Sequence, residues 1–287
     1  MIAHDSRLAL GTVQFGLSYG VSNKNGKVTE DQVAEIIQFA HKSGIKALDT
    51  AVGYGSAEET LGEIGVHGFE VTTKLPAAPV DLEDGWVRKQ LEGSLKRLRV
   101  ENLHCVLLHD PNALLTSQGQ AQFRQLLNAK AQGLVSKIGI SIYDPDVLSE
   151  IENVDQVDIV QVPVNIFDRR ANNSRSLEEL SGQGAEIYAR SVFLQGLLLM
   201  PIREQIARFP EHAEVFQLYK NWLDELGYSP QEASLGYVLG QGAITKVLVG
   251  VESRAQLADL LIIEKSSSEI TPPVFPADEL LLDPRRW

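Results

Sequence analysis

Four side chains suited to a proton-coupled reaction stand at or just past the ends of three short apolar runs. Asp49 closes Ala47-Leu48-Asp49, and Tyr54 follows in the next loop. Lys74 ends Val71-Thr72-Thr73-Lys74, and His109 ends Val106-Leu107-Leu108-His109. A phenol can give its proton to a carbonyl oxygen, but its ordinary pKa is about 10. A neighbouring ammonium favours the phenolate and lowers that pKa. Lys74 would do this to Tyr54, with Asp49 keeping the lysine charged and oriented and His109 hydrogen-bonding the substrate oxygen. None of these groups is a hydride source, so carbonyl reduction by this set requires a cofactor. Each residue alone has a plainer role as a turn cap, a packing ring or an exposed strand end. Their joint placement is what points to chemistry.

The elements that must place them alternate. Strands are expected at Leu8–Phe15, Ala47–Thr50, Glu70–Lys74, His104–His109, Lys137–Ile142, Asp158–Val164, Ala185–Val192 and Lys246–Val251. Between them lie helical patterns, such as Thr29–Ser43 with Val33, Ile36, Ile37 and Ala40 at spacings of three and four. Further helices are expected at about Ala57–Ile64, Leu82–Leu98, Gln118–Gln132, Arg175–Ser181, Glu214–Leu226, Ser229–Leu239 and Ser253–Ile263, with Pro145 opening a short one. Ser56 and Glu59 have the spacing of a capping box. The strand runs are apolar without strict alternation, as in a parallel sheet covered on both faces. Eight such repeats predict a (β/α)8 TIM barrel, whose strand ends meet on one face. A doubly wound sheet is the second choice, and the G-x-G-x-x-G fingerprint it usually carries is missing. One domain over residues 1–287 is expected, with an irregular C-terminal tail from about 265.

Composition bounds the function. Of 287 residues, 44 % are hydrophobic and 22 % charged, as in an ordinary globular chain. A net charge of -12 without a basic run argues against nucleic acid. The single cysteine, Cys105, excludes an internal disulfide and a cysteine-rich metal site. No metal is expected, because His4, His41, His67, His104 and His212 lie in no ligand spacing. No signal peptide or membrane-spanning run is recognisable, so a cytoplasmic protein acting as a monomer or small homo-oligomer is expected.

The ordered set Asp-Thr-Ala-x-x-Tyr-Gly, a strand-end lysine and a strand-end histidine resembles the aldo-keto reductases from about Leu10 to Leu261. The resemblance implies that Asp49, Tyr54, Lys74 and His109 form the catalytic tetrad. It implies that Ser141 and Gln161 hold the nicotinamide carboxamide, and that the run Ser191–Leu198, including Phe193 and Gln195, covers the pyrophosphate. The segment Gly250–Gln256, with Ser253 and Arg254, matches the adenosine phosphate site at a helix N-terminus.

Several positions depart from the family pattern. Ile142 replaces an asparagine, and Arg190 replaces the aromatic residue that stacks on the nicotinamide. The Arg190 charge would favour the reduced, neutral ring over the oxidised cation. Gly250 and Gln256 stand where basic residues commonly bind the 2′-phosphate, and Glu252 adds a negative charge. Ser253 and Arg254 lead us to expect NADPH, with NADH as the alternative.

The activity implied is reduction of a small-molecule carbonyl, possible sugar-type substrates included. A nucleotide-sensing barrel and an NAD-dependent sugar or polyol dehydrogenase running in the oxidative direction are the alternatives. Arg169 and Arg170 read either as structural partners of Asp168 or as contacts for an anionic substrate. Phe15, Tyr19 and Tyr143 are candidate pocket aromatics, Trp86 is expected to pack, and Glu58-Glu59 reads as a helix-start charge bias.

Overall fold

A computed structural model describes residues 6–110, 114–266 and 269–287. Eight parallel strands close in sequence order: β1 (Leu8–Gly11), β2 (Ala47–Asp49), β3 (Glu70–Leu75), β4 (Leu103–Leu108), β5 (Val135–Ser141), β6 (Ile159–Pro163), β7 (Glu186–Arg190) and β8 (Ile244–Gly250). The connections carry α1 (Val13–Gly16), α2 (Glu30–Lys42), α3 (Ala57–Ile64), α4 (Trp86–Leu98), α5 (Ser117–Ala131), α6 (Arg175–Gly182), α7 (Ile202–Arg208), α8 (Ala213–Leu226) and α9 (Pro230–Leu239). After β8 come α10 (Arg254–Ser266) and a short α11 (Glu279–Leu282) in the tail. This is the expected (β/α)8 barrel. None of the described helices is long and apolar enough to cross a membrane.

Local chemistry sets the boundaries. On α2, Val33, Ile36, Ile37 and Ala40 form the buried face, and Gly44 follows its end at φ 87°, a left-handed turn that favours glycine. Ser229 accepts a hydrogen bond from the Glu232 amide at 3.2 Å, and the Glu232 carboxylate accepts from the Ser229 amide at 2.9 Å, closing a capping box on α9. The box expected on α3 does not form; Ser56 Oγ instead accepts from Lys27 Nζ at 2.8 Å.

The first strand stops at Gly11, and Val13–Gly16 turns into α1, so Phe15 is fully buried core rather than pocket lining. The helix after Pro145 is a 3-10 segment, Pro145–Glu150. Residues 82–85 precede α4 instead of belonging to it.

Strand parity divides the core. Ala9, Ala47, Cys105, Leu107, Ile159, Tyr188 and Leu248 fill the barrel. Their strand neighbours Leu48, Val106, Leu108, Ile140, Val160, Ile187 and Val249 belong to the larger cluster shared with the helices. Gly139 lies on the inner parity of β5. A Cβ there would sit 2.0 Å from the Ile159 carbonyl oxygen, so only glycine fits.

Glu58 is 2 % exposed and accepts from Thr73 Oγ1 at 2.6 Å and Arg97 Nε at 2.7 Å. Glu58 and Glu59 both lie in the first turn of α3, as the helix-start charge bias requires, and Glu58 is in addition a buried tie between α3, β3 and α4. His41 packs edge-on against Phe69, and His212 Nε2 lies 2.9 Å from Asp278 Oδ1. Among the described residues no acidic, histidine or cysteine group could hold a metal. His4 lies outside the described residues.

Candidate active site

The inner parity that fills the barrel with apolar groups below carries polar ones at the C-terminal strand ends. Asp49 ends β2, Lys74 lies in β3, His109 follows β4, Ser141 ends β5, Gln161 lies in β6, Arg190 ends β7 and Gly250 ends β8. Each is an even number of residues from an inward-facing neighbour, so all seven face one space. A cavity of about 540 Å³ opens there, lined by Asp49, Tyr54, His109, Ser141, Gln161 and Arg190 among others. That volume suits a cofactor-sized ligand.

Lys74 is the centre of the polar cluster. Its side chain is 1 % exposed and that of Asp49 is 6 % exposed. The ammonium contacts both Asp49 oxygens, with Oδ2 at 2.6 Å, and donates to the Thr50 carbonyl at 3.0 Å. It also reaches the Tyr54 hydroxyl at 3.4 Å. Gln161 Nε2 donates to Asp49 Oδ2 at 3.2 Å, and Ser141 Oγ lies 3.4 Å from Gln161 Oε1. One chain of contacts therefore runs from Ser141 through Gln161 and Asp49 to Lys74 and Tyr54. The Tyr54 and His109 rings meet edge-on, centroids 5.9 Å apart.

Electrostatics sharpen the roles these groups can take. Burial pulls the Lys74 pKa down, but attraction and hydrogen bonding from Asp49, with Tyr54, leave it above its ordinary value. Lys74 is firmly a cation. Burial raises the Tyr54 pKa; Lys74 opposes this and Asp49 adds to it, and the net direction is upward. The expected lowering by Lys74 exists but is outweighed. Tyr54 is thus a neutral phenol with a proton to give, polarised by an adjacent ammonium. Burial, with Lys74 and Arg190, depresses the His109 pKa to about 4. His109 is a neutral imidazole near pH 7, able to hydrogen-bond an oxygen but carrying no second acid proton.

Above this cluster the chain folds over the groove. Ser191, Leu194 and Gln195 have φ of 58°, 47° and 55°, a left-handed run that costs non-glycine residues strain. The run brings the Gln195 carbonyl to the Val21 amide at 2.9 Å. Gly196 packs so tightly that an added Cβ would meet Ser22 Oγ at 1.9 Å. Ser191, Phe193, Gln195, Gly196, Gly20 and Ser22 all line the cavity.

Gly250 and Gln256 also line it, but Ser253 and Arg254 do not. Ser253 Oγ accepts from the Gln256 amide at 3.2 Å, and Gln256 Oε1 accepts from the Glu252 amide at 2.6 Å. The Arg254 guanidinium lies over Phe39 at 5.0 Å. Glu252 and Asp259 line the groove in their place.

Other expectations resolve plainly. Arg170 pairs with Asp168 at 2.7 Å and with Asp144 at 3.0 Å. Arg169 donates to the Pro272 and Pro273 carbonyls of the tail. Neither lines the cavity; the expected pairing with Asp168 forms for Arg170, whereas Arg169 ties to the tail instead. Tyr19 and Tyr143 line it, and Trp86 packs at the core edge.

Sequence reasoning missed Gln14, whose buried Oε1 has no hydrogen-bond partner and faces the groove beside Gly250. A polar residue so close to the first strand end was the available signal. It also missed Pro284 and Arg285, which line the cavity from the far end of the chain.

The fold and the cluster define a TIM barrel with a buried acid–lysine–tyrosine chain at the mouth of a long groove. The profile of the Aldo/keto reductase family matches residues 7–270, and the chain belongs to that family. An uncharacterized oxidoreductase of Bacillus subtilis is 24 % identical over 87 % of this chain and 88 % of its own length. An NADH-specific methylglyoxal reductase of Escherichia coli is 26 % identical over 67 % of this chain and 65 % of its own. A 6-dehydroglucose reductase of Novosphingobium aromaticivorans is 29 % identical over 45 % of this chain, and the match spans 47 % of that protein. A Pseudomonas aeruginosa structure described as an aldo-keto reductase superposes with a TM-score of 0.68 at 22 % identity, covering 91 % of this chain and 90 % of its own.

Proposed function

We propose that the protein reduces a small polar aldehyde or ketone to an alcohol with a nicotinamide dinucleotide, Tyr54 giving the proton. The observation that carries this reading is the buried contact chain Asp49–Lys74–Tyr54 opening on the groove beside His109. Bound there, the reduced nicotinamide would supply the hydride to the carbonyl carbon. His109, neutral, hydrogen-bonds the carbonyl oxygen and fixes it near the Tyr54 hydroxyl. As charge develops on that oxygen, Tyr54 passes its proton to it, and the Lys74 ammonium stabilises the phenolate left behind. Asp49 keeps Lys74 charged and aimed. Ser141 and Gln161 would hold the ring amide, while Phe193 and Gln195 would cover the phosphates.

The groove fits such a group. The Gln14 side-chain oxygen is buried without a partner among the described residues, and the Gln14 amide packs so closely on Gly250 that a Cβ there would meet it at 2.5 Å. The choice between the two nicotinamides turns on Glu252 and Asp259. Carboxylates in the adenosine end repel a 2′-phosphate and accept from a ribose 2′-hydroxyl. Arg254, the cation that would favour the phosphate, rests on Phe39. This supports NADH over the NADPH expected from sequence, in line with the NADH-specific relative. The single cysteine is buried in the barrel and its pKa is raised by burial, so it adds no nucleophile to the site.

Fluorescence titration with NADH and NADPH, followed by turnover of methylglyoxal, tests the reading. Tighter NADH binding, a shift toward NADPH in Glu252→Lys, and repeated turnovers are expected. Saturable binding with no turnover of any carbonyl would replace the reductase with a nucleotide-sensing barrel.

A further inference from the structure

Tyr143, just past β5, carries a guanidinium on each face. Arg190 Cζ lies 4.0 Å from the ring centroid and Arg285 Cζ 3.7 Å from it. Two guanidiniums at those distances would collide on one face, so the ring is sandwiched between the end of β7 and the C-terminal tail. All three side chains line the same cavity as Tyr54 and His109.

The tail is firmly seated. Leu281 and Leu282 are buried, Trp287 Nε1 donates to the Leu280 carbonyl at 2.9 Å, and its ring meets Phe209 at 5.1 Å. Asp283 accepts from Arg285 Nε at 2.8 Å and Nη2 at 2.6 Å, leaving Nη1 outside that grip.

The charges at this end of the cavity do not cancel. Lys74 is matched by Asp49, and Arg285 by Asp283, with Asp110 also acting on it. Arg190 donates only to neutral groups, the Ile142 carbonyl at 2.9 Å and Ser191 Oγ at 3.1 Å, and forms no ion pair among the described residues. Its Nε is buried with no hydrogen-bond partner among the described residues. A chain of net charge -12 thus keeps an uncompensated cation beside the reacting carbonyl. A neutral substrate closing over Arg190 would strip water from it and give nothing back. An anionic group would meet a planar donor, with a second guanidinium one ring away.

Resting on the carbonyl-reductase reading, we propose that Arg190, Tyr143 and Arg285 form a recognition wall that selects carbonyl substrates bearing a carboxylate or phosphate. Arg190 supplies the unmatched charge, Tyr143 spaces the two cations, and Arg285 offers from the tail its Nη1, which the Asp283 pair leaves unused.

Two matched pairs test this with saturating NADH: 4-carboxybenzaldehyde against benzaldehyde, and glyceraldehyde 3-phosphate against glyceraldehyde. The anionic member of at least one pair should have a kcat/KM about tenfold to a hundredfold higher, the range of a charge-assisted hydrogen bond. The pair with the larger ratio identifies the anion. Arg190→Gln and Arg285→Gln should each shrink that ratio, chiefly through KM of the anionic member. Because both members are measured on one variant, partial misfolding lowers both rates and leaves the ratio intact. Equal kcat/KM within both pairs, or ratios unchanged in both variants, overturns the recognition wall and leaves the reductase standing. No turnover of any of the four overturns both.

Discussion

Replacing Lys74 by methionine isolates the buried charge on which the site is built. The substitution keeps most of the volume and removes the ammonium, so the apolar packing changes little. Asp49 then keeps Gln161 Nε2 at 3.2 Å but loses the cation on both its oxygens. With side chains 1 % and 6 % exposed, water cannot take over. Leaving one partner of a buried pair uncompensated costs about 3–5 kcal/mol. With a urea slope of about 3 kcal/mol per molar, the midpoint should fall by about 1–1.7 M.

The double variant Lys74→Met, Asp49→Asn should recover part of the loss, because neither buried charge remains. Urea unfolding at pH 7 on the three proteins is the assay. A deficit below about 1 kcal/mol, or a double variant no more stable than Lys74→Met alone, would refute the claim that Lys74 compensates a desolvated Asp49.

Other expectations follow from single contacts. Gly139→Ala places a methyl 2.0 Å from the Ile159 carbonyl and 2.8 Å from Leu107 Cδ2, between two hydrogen-bonded strands. It should lower stability by about 3 kcal/mol or more, read by chemical denaturation. His109, held at about 4 by burial with Lys74 and Arg190, takes up a proton later than the unfolded chain, whose histidine titrates near 6.5. Stability is therefore lost as pH falls from about 6.5 and the loss levels below about 4, with an upper limit of about 3 kcal/mol. His109→Gln should flatten that part of the stability profile. Arg190→Ala should raise affinity for oxidised nicotinamide relative to reduced, measured by titration with both forms, because the removed charge repels the oxidised ring.

The barrel was legible because each strand run was short, apolar and followed by a helical period. The candidate cluster was legible because Asp49, Lys74 and His109 sit at strand ends, where parity alone turns them inward. Chain order could not show what depends on distant contacts. The rise in the Tyr54 pKa follows from burial in the closed barrel's mouth, which outweighs the neighbouring lysine. Ser253 and Arg254 had the right types for a phosphate, yet one caps α10 and the other lies on Phe39 of α2. Glu58 is the helix-start charge its position suggested, but its burial and its pairing with Arg97, 39 residues on, depend on the packing of α3 against α4. Arg285 stacks on a ring 142 positions earlier (285 − 143), a contact only the closed barrel creates.

The most direct test of the central claim is turnover by Tyr54→Phe, followed through NADH absorbance alongside a fluorescence titration of the same protein. The change removes one hydroxyl and leaves the ring against His109. NADH affinity should stay within about twofold, while kcat falls by about 10²–10⁴, the usual contribution of a positioned acid. Turnover close to wild type would contradict Tyr54 as the proton donor and, with it, the mechanism built on Lys74 and Asp49.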